Sequence, residues 1–461
     1  MNAIDHARHR PTGRGAFVAI LVLALTACGA GAPVAVPAVV SGSEIAPAAD
    51  AVETFTPVAR VDVPPPVDVP ETTVTDTVPA VPVTSTTTTA PGTTTTAPVS
   101  TIRARNAVPV PVVAAMHGWP AFDLHLQTIL TAGSDAVSAT VSYDGEIVHE
   151  VALGRRTTSG EPVAIGDRFR VASISKVITS ITVLRLVQAG QLGLDAPVGE
   201  LLAQRVGATP SAGVAEITTR HLLTHRSGIA QYENLMFARQ VESCEQAAAA
   251  GLTRPLERAP GTTLRYSNLN FCLLGLLIEE VTGRPYAEVV QDELLVPLGI
   301  DGMRLAGTFD VRDGDVEHRS EDGRNYMEVL GAAGSWIASS TDVVKITDAL
   351  DPSTTGWKPL GPDLLALMTT ITVDPPDPNV APEVNTIAAQ PSTRGYGMGL
   401  MIFGPDTFGH TGTLESTHAM TTRRADGYTW AIAVSGDHPS SSRDLAGIID
   451  EAFRYAGVLD T

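Results

Sequence analysis

The sequence predicts a mixed α/β (α+β) fold in which both ends of one domain build an antiparallel sheet around an inserted helical region. Two strand patterns, at 138–143 and 147–153, flank Asp144-Gly145, a pair typical of hairpin turns. Between 192 and 350 the chain shows mostly helix and loop patterns. Strand patterns then return at 397–403, 408–412, 418–422 and 429–435.

Three helices have clear signals. The first is predicted over 121–131, before the hairpin. An apolar helix begins at Ser173 and ends near Ala189-Gly190. Apolar periodicity predicts a last helix over 444–455, after the final strand.

Length and charge limit the function classes. At 461 residues with 44% hydrophobic content, the chain is long enough for one large or two ordinary domains with a buried core. Its formal net charge of −19 argues against nucleic acid and against an anionic membrane surface as partners.

The N-terminus has the pattern of an export signal. Arg8, Arg10 and Arg14 precede a short apolar run at 16–25. The following Leu-Thr-Ala-Cys ends at Cys28 and resembles a bacterial lipobox. We therefore expect residues 1–28 to be a lipoprotein signal peptide, with lipid on Cys28 anchoring the exported protein to the outer face of the membrane, facing the cell wall. The alternative is an ordinary signal peptide with an incidental cysteine.

Residues 29–112 are predicted to form a disordered tether. The segment is rich in Pro, Thr, Ala and Val, and its only aromatic residue is Phe55, so it lacks the means to build a core. In polyproline II form, at about 3.1 Å per residue, it would extend on the order of 200 Å. The catalytic domain is predicted to span 113–461.

The motif Ser173-Ile-Ser-Lys176 places a hydroxyl and an amine one helical turn apart. Residues at i and i+3 share a helix face, so the lysine amine can draw the proton from the serine. The free N–H groups of a helix start can supply part of an oxyanion hole. Ser175 lies two positions further along, and its side chain is expected to pack in the interior or to cap the helix.

Two further motifs follow in order, Tyr266-Ser-Asn268 and His410-Thr411-Gly412. Ser-x-x-Lys, Tyr-x-Asn and a basic residue before Thr-Gly resemble the penicillin-recognising serine hydrolases: class C β-lactamases, DD-peptidases and their esterase relatives. The resemblance covers about 121–457. Further segments that resemble this family lie at 221–229, 260–261, 297–300, 333–342 and 395–399.

The resemblance implies a fold and a set of roles. The family combines an α/β domain with an all-helical domain, and its site lies in the crevice between them. Ser173 would be the acylated nucleophile, and Lys176 would accept its proton. Tyr266 would be the general acid or base, unless it is only a core residue. Asn268 would orient Lys176 and bind the substrate amide, unless it is only a helix cap.

The resemblance also assigns the last motif to substrate binding. His410 and Thr411 would contact a substrate carboxylate, Gly412 completes the motif, and the N–H of Thr413 would share the oxyanion hole with that of Ser173. Histidine stands where β-lactamases usually have lysine, as in certain secreted DD-peptidases and D-aminopeptidases, which disfavours efficient antibiotic hydrolysis. The sequence also departs from the family pattern at 414–417, where relatives usually place a glycine.

Cysteine and histidine patterns complete the candidates. Cys244 and Cys272 form an even pair in an exported domain, so either a disulfide or two buried thiols is expected. His221 and His225 have a spacing that can serve zinc, but no third ligand is evident. We therefore expect no metal and no cofactor. The absence of a Gly-x-Ser-x-Gly elbow argues against an α/β-hydrolase.

The sequence thus predicts an exported serine hydrolase that works through an acyl-enzyme on Ser173. A DD-carboxypeptidase-like activity on cell-wall peptides is favoured. The alternatives are a carboxylesterase, a weak β-lactamase, or a penicillin-binding or wall-binding lipoprotein without turnover. Expected partners are a small peptide, ester or β-lactam and peptidoglycan, with a membrane contacted only through the lipid. A monomer is expected, since no assembly element is evident.

Overall fold

A computed structural model describes residues 118–237, 240–319, 325–373 and 394–459. The predicted signal peptide with Cys28 and the predicted tether lie outside these residues. Within the described ranges, none of the helices is both long and apolar enough to cross a bilayer.

Seven of the strands form one antiparallel sheet. The strands in chain order are β1 Ala136–Tyr143, β2 Glu146–Gly154, β3 Phe169–Arg170, β4 Arg304–Leu305, β5 Trp336–Ala338, β6 Gly395–Tyr396, β7 Met401–Gly404, β8 Thr407–Leu414, β9 Thr417–Arg423 and β10 Tyr428–Ser435. The sheet order is β2-β1-β10-β9-β8-β7-β6, so the N-terminal hairpin joins the C-terminal strands through β1 and β10. The predicted fold class is confirmed.

Helices cover both faces of this sheet. In chain order they are α1 Trp119–Thr131, α2 Ser175–Gln188, α3 Gly199–Arg205, α4 Thr219–Leu223, α5 Glu233–Phe237, α6 Cys244–Leu252, α7 Asn268–Thr282, α8 Tyr286–Val290, α9 Tyr326–Leu330, α10 Ser340–Asp348, α11 Pro362–Thr369 and α12 Asp444–Ala456. Helices α1 and α12 bury an apolar layer against one face, including Phe122, Trp430 and Phe453. The other face packs against the larger cluster that contains α2 and α7.

Of the predicted strand at 397–403, only 401–403 are strand, in β7, and a turn at 397–400 separates β7 from β6. Gly399 has φ +75°, and a Cβ there would lie 1.8 Å from Ser180 Oγ on α2. The close approach of this turn to α2 is what interrupts the strand, and a glycine is needed for it. The same turn also lies against the Lys176 carbonyl of α2.

A second sheet, of order β3-β5-β4, was not predicted. Its strands are two or three residues long, too short to show the period-2 pattern of a strand. Strand β5 follows Ala333, whose carbonyl faces the candidate site. The short sheet therefore helps to fix one wall of that site.

A disulfide joins Cys244, the first residue of α6, to Cys272 in α7, with the two Cα atoms 5.7 Å apart. The sequence left open either a disulfide or two buried thiols, and the structure has the disulfide. Closing a loop of this size stabilises a fold by about 3.6 kcal/mol in the chain-entropy account. The bridge fixes the helix whose first residue is Asn268.

Candidate active site

Ser173 is the middle residue of a 3-10 turn, Ala172–Ile174, and the α-helix itself begins at Ser175. Ala172 has φ +49°, a left-handed conformation that costs a non-glycine residue free energy and is often found at functional sites. Strand β8 lies against this turn: a Cβ on Gly412 would lie 2.2 Å from the Val171 carbonyl oxygen. The turn presents a half-buried Ser173 at the end of α2.

Lys176 is fully buried, which excludes a surface role. Its Nζ donates to Ser173 Oγ at 2.9 Å, to Asn268 Oδ1 at 2.9 Å and to the Ala333 carbonyl at 2.8 Å. These three acceptors match the three donors of an ammonium group. The Nζ also lies 5.1 Å from the centre of the Tyr266 ring, a cation–π distance.

Tyr266 and Asn268 lie on either side of a helix start. Tyr266 Oη donates to Ser173 Oγ at 3.0 Å. Ser267 is the N-cap residue of α7, and Asn268 is its first helical residue, so capping does not explain Asn268. Ser173 Oγ thus contacts both the amine of Lys176 and the hydroxyl of Tyr266.

His225 lies directly behind Tyr266, with ring centres 4.3 Å apart. Its Nδ1 accepts from the Ser267 N–H at 3.2 Å. Burial, followed by the charge of Lys176, holds the pKa of His225 well below its usual range, so the ring is neutral. His225 therefore positions Tyr266 as an uncharged ring.

The spacing of His221 and His225 does not make a metal site. Helix α4 ends at Leu223, and His225 has φ +56°, so the two rings do not share a helix face. His221 Nδ1 accepts from the Thr218 N–H instead. Among the described residues, no three His, Cys, Asp or Glu side chains are grouped so that they could hold a metal ion.

His410 differs from its expected placement in contact with the substrate. Its side chain is 0% exposed. Nδ1 donates to the Thr411 carbonyl at 2.6 Å, and Nε2 accepts from the Tyr396 hydroxyl at 3.2 Å. Burial, followed by the charge of Lys176, lowers the pKa of His410 to about 3. A buried, neutral imidazole cannot offer a substrate carboxylate a charge.

Thr411 and Thr413 line the open side of β8, because successive residues of a strand face opposite sides. They border a cleft of about 470 Å³ that also contains Ser173 and Tyr266. Asn268 lines it as well. The lining residues that the sequence did not reveal are Gln231, Phe237, Met401, Ser441, Ser442 and Arg443.

The segment before α12 forms one wall of the cleft. Ser442 Oγ lies 2.6 Å from Thr413 Oγ1 and donates to the Gly412 carbonyl at 2.5 Å. Arg443 is exposed and makes no ion pair with any described residue. Nothing in the sequence marks this arginine, since it is an ordinary charged residue at a helix start. It supplies a positive charge to the cleft, which Thr411 and Thr413 also line.

This geometry suits acyl transfer. Ser173 Oγ faces the cleft, Lys176 can take its proton, and the half-buried Tyr266 contacts both Ser173 and the cleft. Tyr266 can therefore pass a proton to a group that leaves the acyl carbon.

Comparison with known proteins agrees with this chemistry. A family model described as "Beta-lactamase" matches residues 122–453. Esterase EstB of Burkholderia gladioli is 33% identical over 193 residues, which are 39% of this chain and 48% of that protein. Penicillin-binding protein 4 of Amycolatopsis lactamdurans is 34% identical over 169 residues, 35% of this chain and 42% of that protein. The chain thus spans about half the length of these relatives.

Among solved structures, a D-stereospecific amidohydrolase from Streptomyces sp. is similar in fold and sequence. It is 25% identical, with a TM-score of 0.54 over 72% of this chain and 97% of that one. A D-amino acid amidase from Ochrobactrum anthropi, at 20% identity, has a TM-score of 0.58 over 73% of this chain and 99% of that one.

Proposed function

This chain belongs to the beta-lactamase family and is a serine hydrolase, and from that premise we propose that it acts as a DD-carboxypeptidase. In this proposal it removes the C-terminal D-residue of a cell-wall peptide. The reaction passes through an acyl-enzyme on Ser173.

The proposed reaction uses the contacts around Ser173. Lys176 first gives up one of its three protons; Ser173 Oγ then attacks the peptide carbonyl and passes its own proton to the amine of Lys176, 2.9 Å away. The Oη of Tyr266 then gives a proton to the leaving amine as the C–N bond breaks. Water attacks the serine ester in the reverse sequence of proton transfers, which releases the shortened peptide and restores Ser173.

The observation that supports this choice is the exposed Arg443 beside Thr411 and Thr413 in the cleft of Ser173. A DD-carboxypeptidase substrate ends in a carboxylate next to the scissile bond. An arginine without an ion-pair partner among the described residues can bind that carboxylate, and the hydroxyl of Thr411 can donate to it. The similarity to a penicillin-binding protein and to a D-stereospecific amidohydrolase also favours a D-peptide substrate.

The proposal includes the location of the enzyme. Lipid on Cys28 and an extended segment over 29–112 would hold the catalytic domain above the membrane, within reach of the wall. The basic flank and the lipobox-like sequence support this placement.

A carboxylesterase is the second candidate. Esterase EstB is 33% identical over its aligned part, and Phe237 and Met401 make part of the cleft apolar. A neutral ester has no terminal carboxylate and would make no use of the charge on Arg443.

The test compares three substrates on the full-length protein: a peptide ending in D-Ala-D-Ala, its C-terminal amide, and a p-nitrophenyl ester. We expect the free acid to be cleaved fastest. Arg443→Gln should lower kcat/KM for the free acid by about 10- to 100-fold, the usual worth of a charge-assisted hydrogen bond, and leave the other two substrates unchanged.

Arg454→Gln is the matched control, because Arg454 is an exposed arginine of α12, the helix that follows Arg443, and lies away from the cleft. It should change none of the three rates. Cleavage of the ester alone, with no effect of Arg443→Gln, would replace the proposal with a carboxylesterase. Rapid turnover of a penicillin would replace it with a β-lactamase.

A further inference from the structure

Ser442 lies just before helix α12, but its side chain bonds to strand β8 and not to the helix. The residue is 2% exposed. Among the described residues, no side chain caps the first turn of α12, so Ser442 Oγ does not have the role that a serine often has at a helix start. Its hydroxyl donates instead to the Gly412 carbonyl at 2.5 Å.

Two further contacts fix the direction of this hydroxyl. A hydroxyl group has one hydrogen and can accept two hydrogen bonds. Because Ser442 gives its hydrogen to the Gly412 carbonyl, it accepts from the Thr413 hydroxyl at 2.6 Å and from His418 Nδ1 at 3.2 Å. His418 faces Thr413 across β8 and β9, where the two residues are paired in register. All three bonding positions of Ser442 Oγ are therefore used, and the hydroxyl has a single orientation.

The Gly412 carbonyl and the Thr413 N–H are the two ends of one peptide unit. A peptide unit is planar and trans, so its C=O and its N–H point in opposite directions. Ser442 therefore holds the carbonyl end, and the N–H at the other end points away from Ser442. A hydrogen bond to the carbonyl also polarises the unit, which makes its N–H a stronger donor.

This peptide unit lies beside the turn that presents Ser173. A Cβ on Gly412 would lie 2.2 Å from the Val171 carbonyl oxygen and 3.1 Å from the Ala172 Cβ. Thr413 lines the same cleft as Ser173. When a serine attacks a carbonyl group, the carbonyl oxygen becomes negative and is stabilised by fixed N–H donors. The resemblance of the sequence to its family predicted that the Thr413 N–H is one of these donors.

Resting on the proposed function, in which Ser173 forms an acyl-enzyme, we propose that Ser442 is a positioning residue for the oxyanion hole. It acts through the Gly412–Thr413 peptide unit and not by contact with the substrate. Its hydroxyl fixes the direction of the Thr413 N–H and strengthens that N–H as a donor. The benefit is largest in the transition state, where the charge on the oxygen is greatest.

Ser442→Ala tests this role with a p-nitrophenyl ester. We expect kcat to fall about 5- to 20-fold, less than the 10²- to 10³-fold loss typical of deleting an oxyanion donor, because the Thr413 N–H is still present. KM should change less than twofold, since acylation and deacylation both pass through an oxyanion and slow together. Ser442→Cys, which has a weak S–H donor of similar size, should give an intermediate kcat.

Ser435→Ala is the matched control for the loss of a buried hydroxyl. Ser435 is a buried residue of β10, away from the cleft, and its Oγ donates to the Glu317 carbonyl at 2.9 Å. This variant should lose about as much thermal stability as Ser442→Ala and keep the wild-type kcat. If kcat falls to the same extent in both variants, Ser442 has only a structural role and the inference is overturned. If Ser442→Ala does not fold, Ser442→Cys is compared with Ser435→Ala in its place.

Binding of phenylboronic acid measures the oxyanion hole without turnover. The boron accepts a lone pair from Ser173 Oγ, a B–O bond forms, and the serine proton passes to the free amine of Lys176. The tetrahedral boronate carries a negative charge and resembles the transition state. We expect Ser442→Ala to raise the Kd about 5- to 20-fold and Ser435→Ala to leave it unchanged. The same Kd in Ser442→Ala and in the wild type would overturn the inference.

The outcomes distinguish this inference from the proposed function. Cleavage of the ester but of no D-peptide would exclude the DD-carboxypeptidase and leave the test of Ser442 intact. If no substrate is cleaved, the Kd of the boronic acid, followed by thermal shift, still decides between the two roles of Ser442. A wild type that neither cleaves the ester nor binds the boronic acid would overturn the acyl-enzyme and, with it, the role of Ser442.

Discussion

At the scale of single residues, the site depends on one oxygen that meets side chains from distant parts of the chain. Ser173 Oγ contacts Lys176, three residues away, and Tyr266, ninety-three residues away. The first contact could be predicted from sequence because helix geometry fixes the distance between i and i+3. The contact with Tyr266 could be predicted only from the resemblance to a family, because the spacing along the chain does not show that Tyr266 lies near Ser173.

Replacing Lys176 tests the proposed proton acceptor. Lys176→Met keeps a long apolar stem but removes the amine, so hydrolysis of a p-nitrophenyl ester or D-Ala-D-Ala peptide should fall by about 10²- to 10⁴-fold. Lys345→Met, at a partly exposed lysine of α10, is the control and should be fully active. A folded Lys176→Met variant that keeps more than a tenth of the wild-type rate would rule out this role.

His410 shows where residue-level prediction fails. Its place before Thr-Gly implied a substrate contact, but the side chain lies on the buried side of β8 and accepts from Tyr396. The burial of His410 and its hydrogen bond to another strand result from the folded sheet, so they could not be predicted from the His-Thr-Gly motif. The cation that does line the cleft, Arg443, belongs to a segment with no motif at all.

At the scale of elements, the catalytic geometry depends on how closely β8 approaches the turn that presents Ser173. The spacing leaves no room for a side chain on Gly412. The sequence predicted both β8 and the helix after Ser173, because both have clear periodic patterns. It could not predict the 3-10 turn at 172–174, since the φ of +49° at Ala172 is imposed by packing.

Gly412→Ala should displace this turn. Its Cβ would lie 2.2 Å from the Val171 carbonyl oxygen, a backbone atom that cannot move alone. We expect overpacking to cost about 1–3 kcal/mol in urea unfolding, and the hydrolysis rate to fall together with stability. Gly404→Ala, in β7, is the control, because the nearest atom to its Cβ would be 4.0 Å away. Equal stability and activity in the two variants would refute the close contact.

At the scale of the whole molecule, neutral buried histidines make the fold sensitive to acid. The pKa of His410 is lowered to about 3, as is that of His318, and the pKa of His225 lies well below its usual range, in each case mainly through burial. In the unfolded chain these rings take up protons below about pH 6.5, while in the folded protein they do not. The unfolded state therefore binds more protons in this range, and stability falls as the pH falls.

We predict that the free energy of unfolding decreases steadily from pH 6.5 towards pH 4. Each neutral histidine contributes a slope of up to about 1.4 kcal/mol per pH unit. His410→Gln removes one such group, so urea unfolding across this range should show a smaller slope than in the wild type, even if the variant is less stable at pH 7. An unchanged slope would contradict a neutral His410.

The overall architecture could be predicted from the sequence more completely than the details of the site. A hairpin at one end and strands at the other indicated a shared antiparallel sheet, and β1 paired with β10 meets that expectation. The cavity between α12 and strands β7 to β10 was not predictable, because it depends on how the helix packs against the sheet. The signal peptide, the lipid on Cys28 and the tether remain predictions, because they lie outside the described residues.

The acyl-enzyme on Ser173 can be tested directly by the intact mass of the protein after mixing with a penicillin. We expect an adduct with the mass of the penicillin on the wild type and on Ser175→Ala, where the replaced hydroxyl accepts from the backbone N–H of Trp336 and does not face the cleft. We expect no adduct on Ser173→Ala. An adduct that persists on Ser173→Ala, or a Ser173→Ala variant that hydrolyses the substrates as fast as the wild type, would contradict an acyl-enzyme on Ser173.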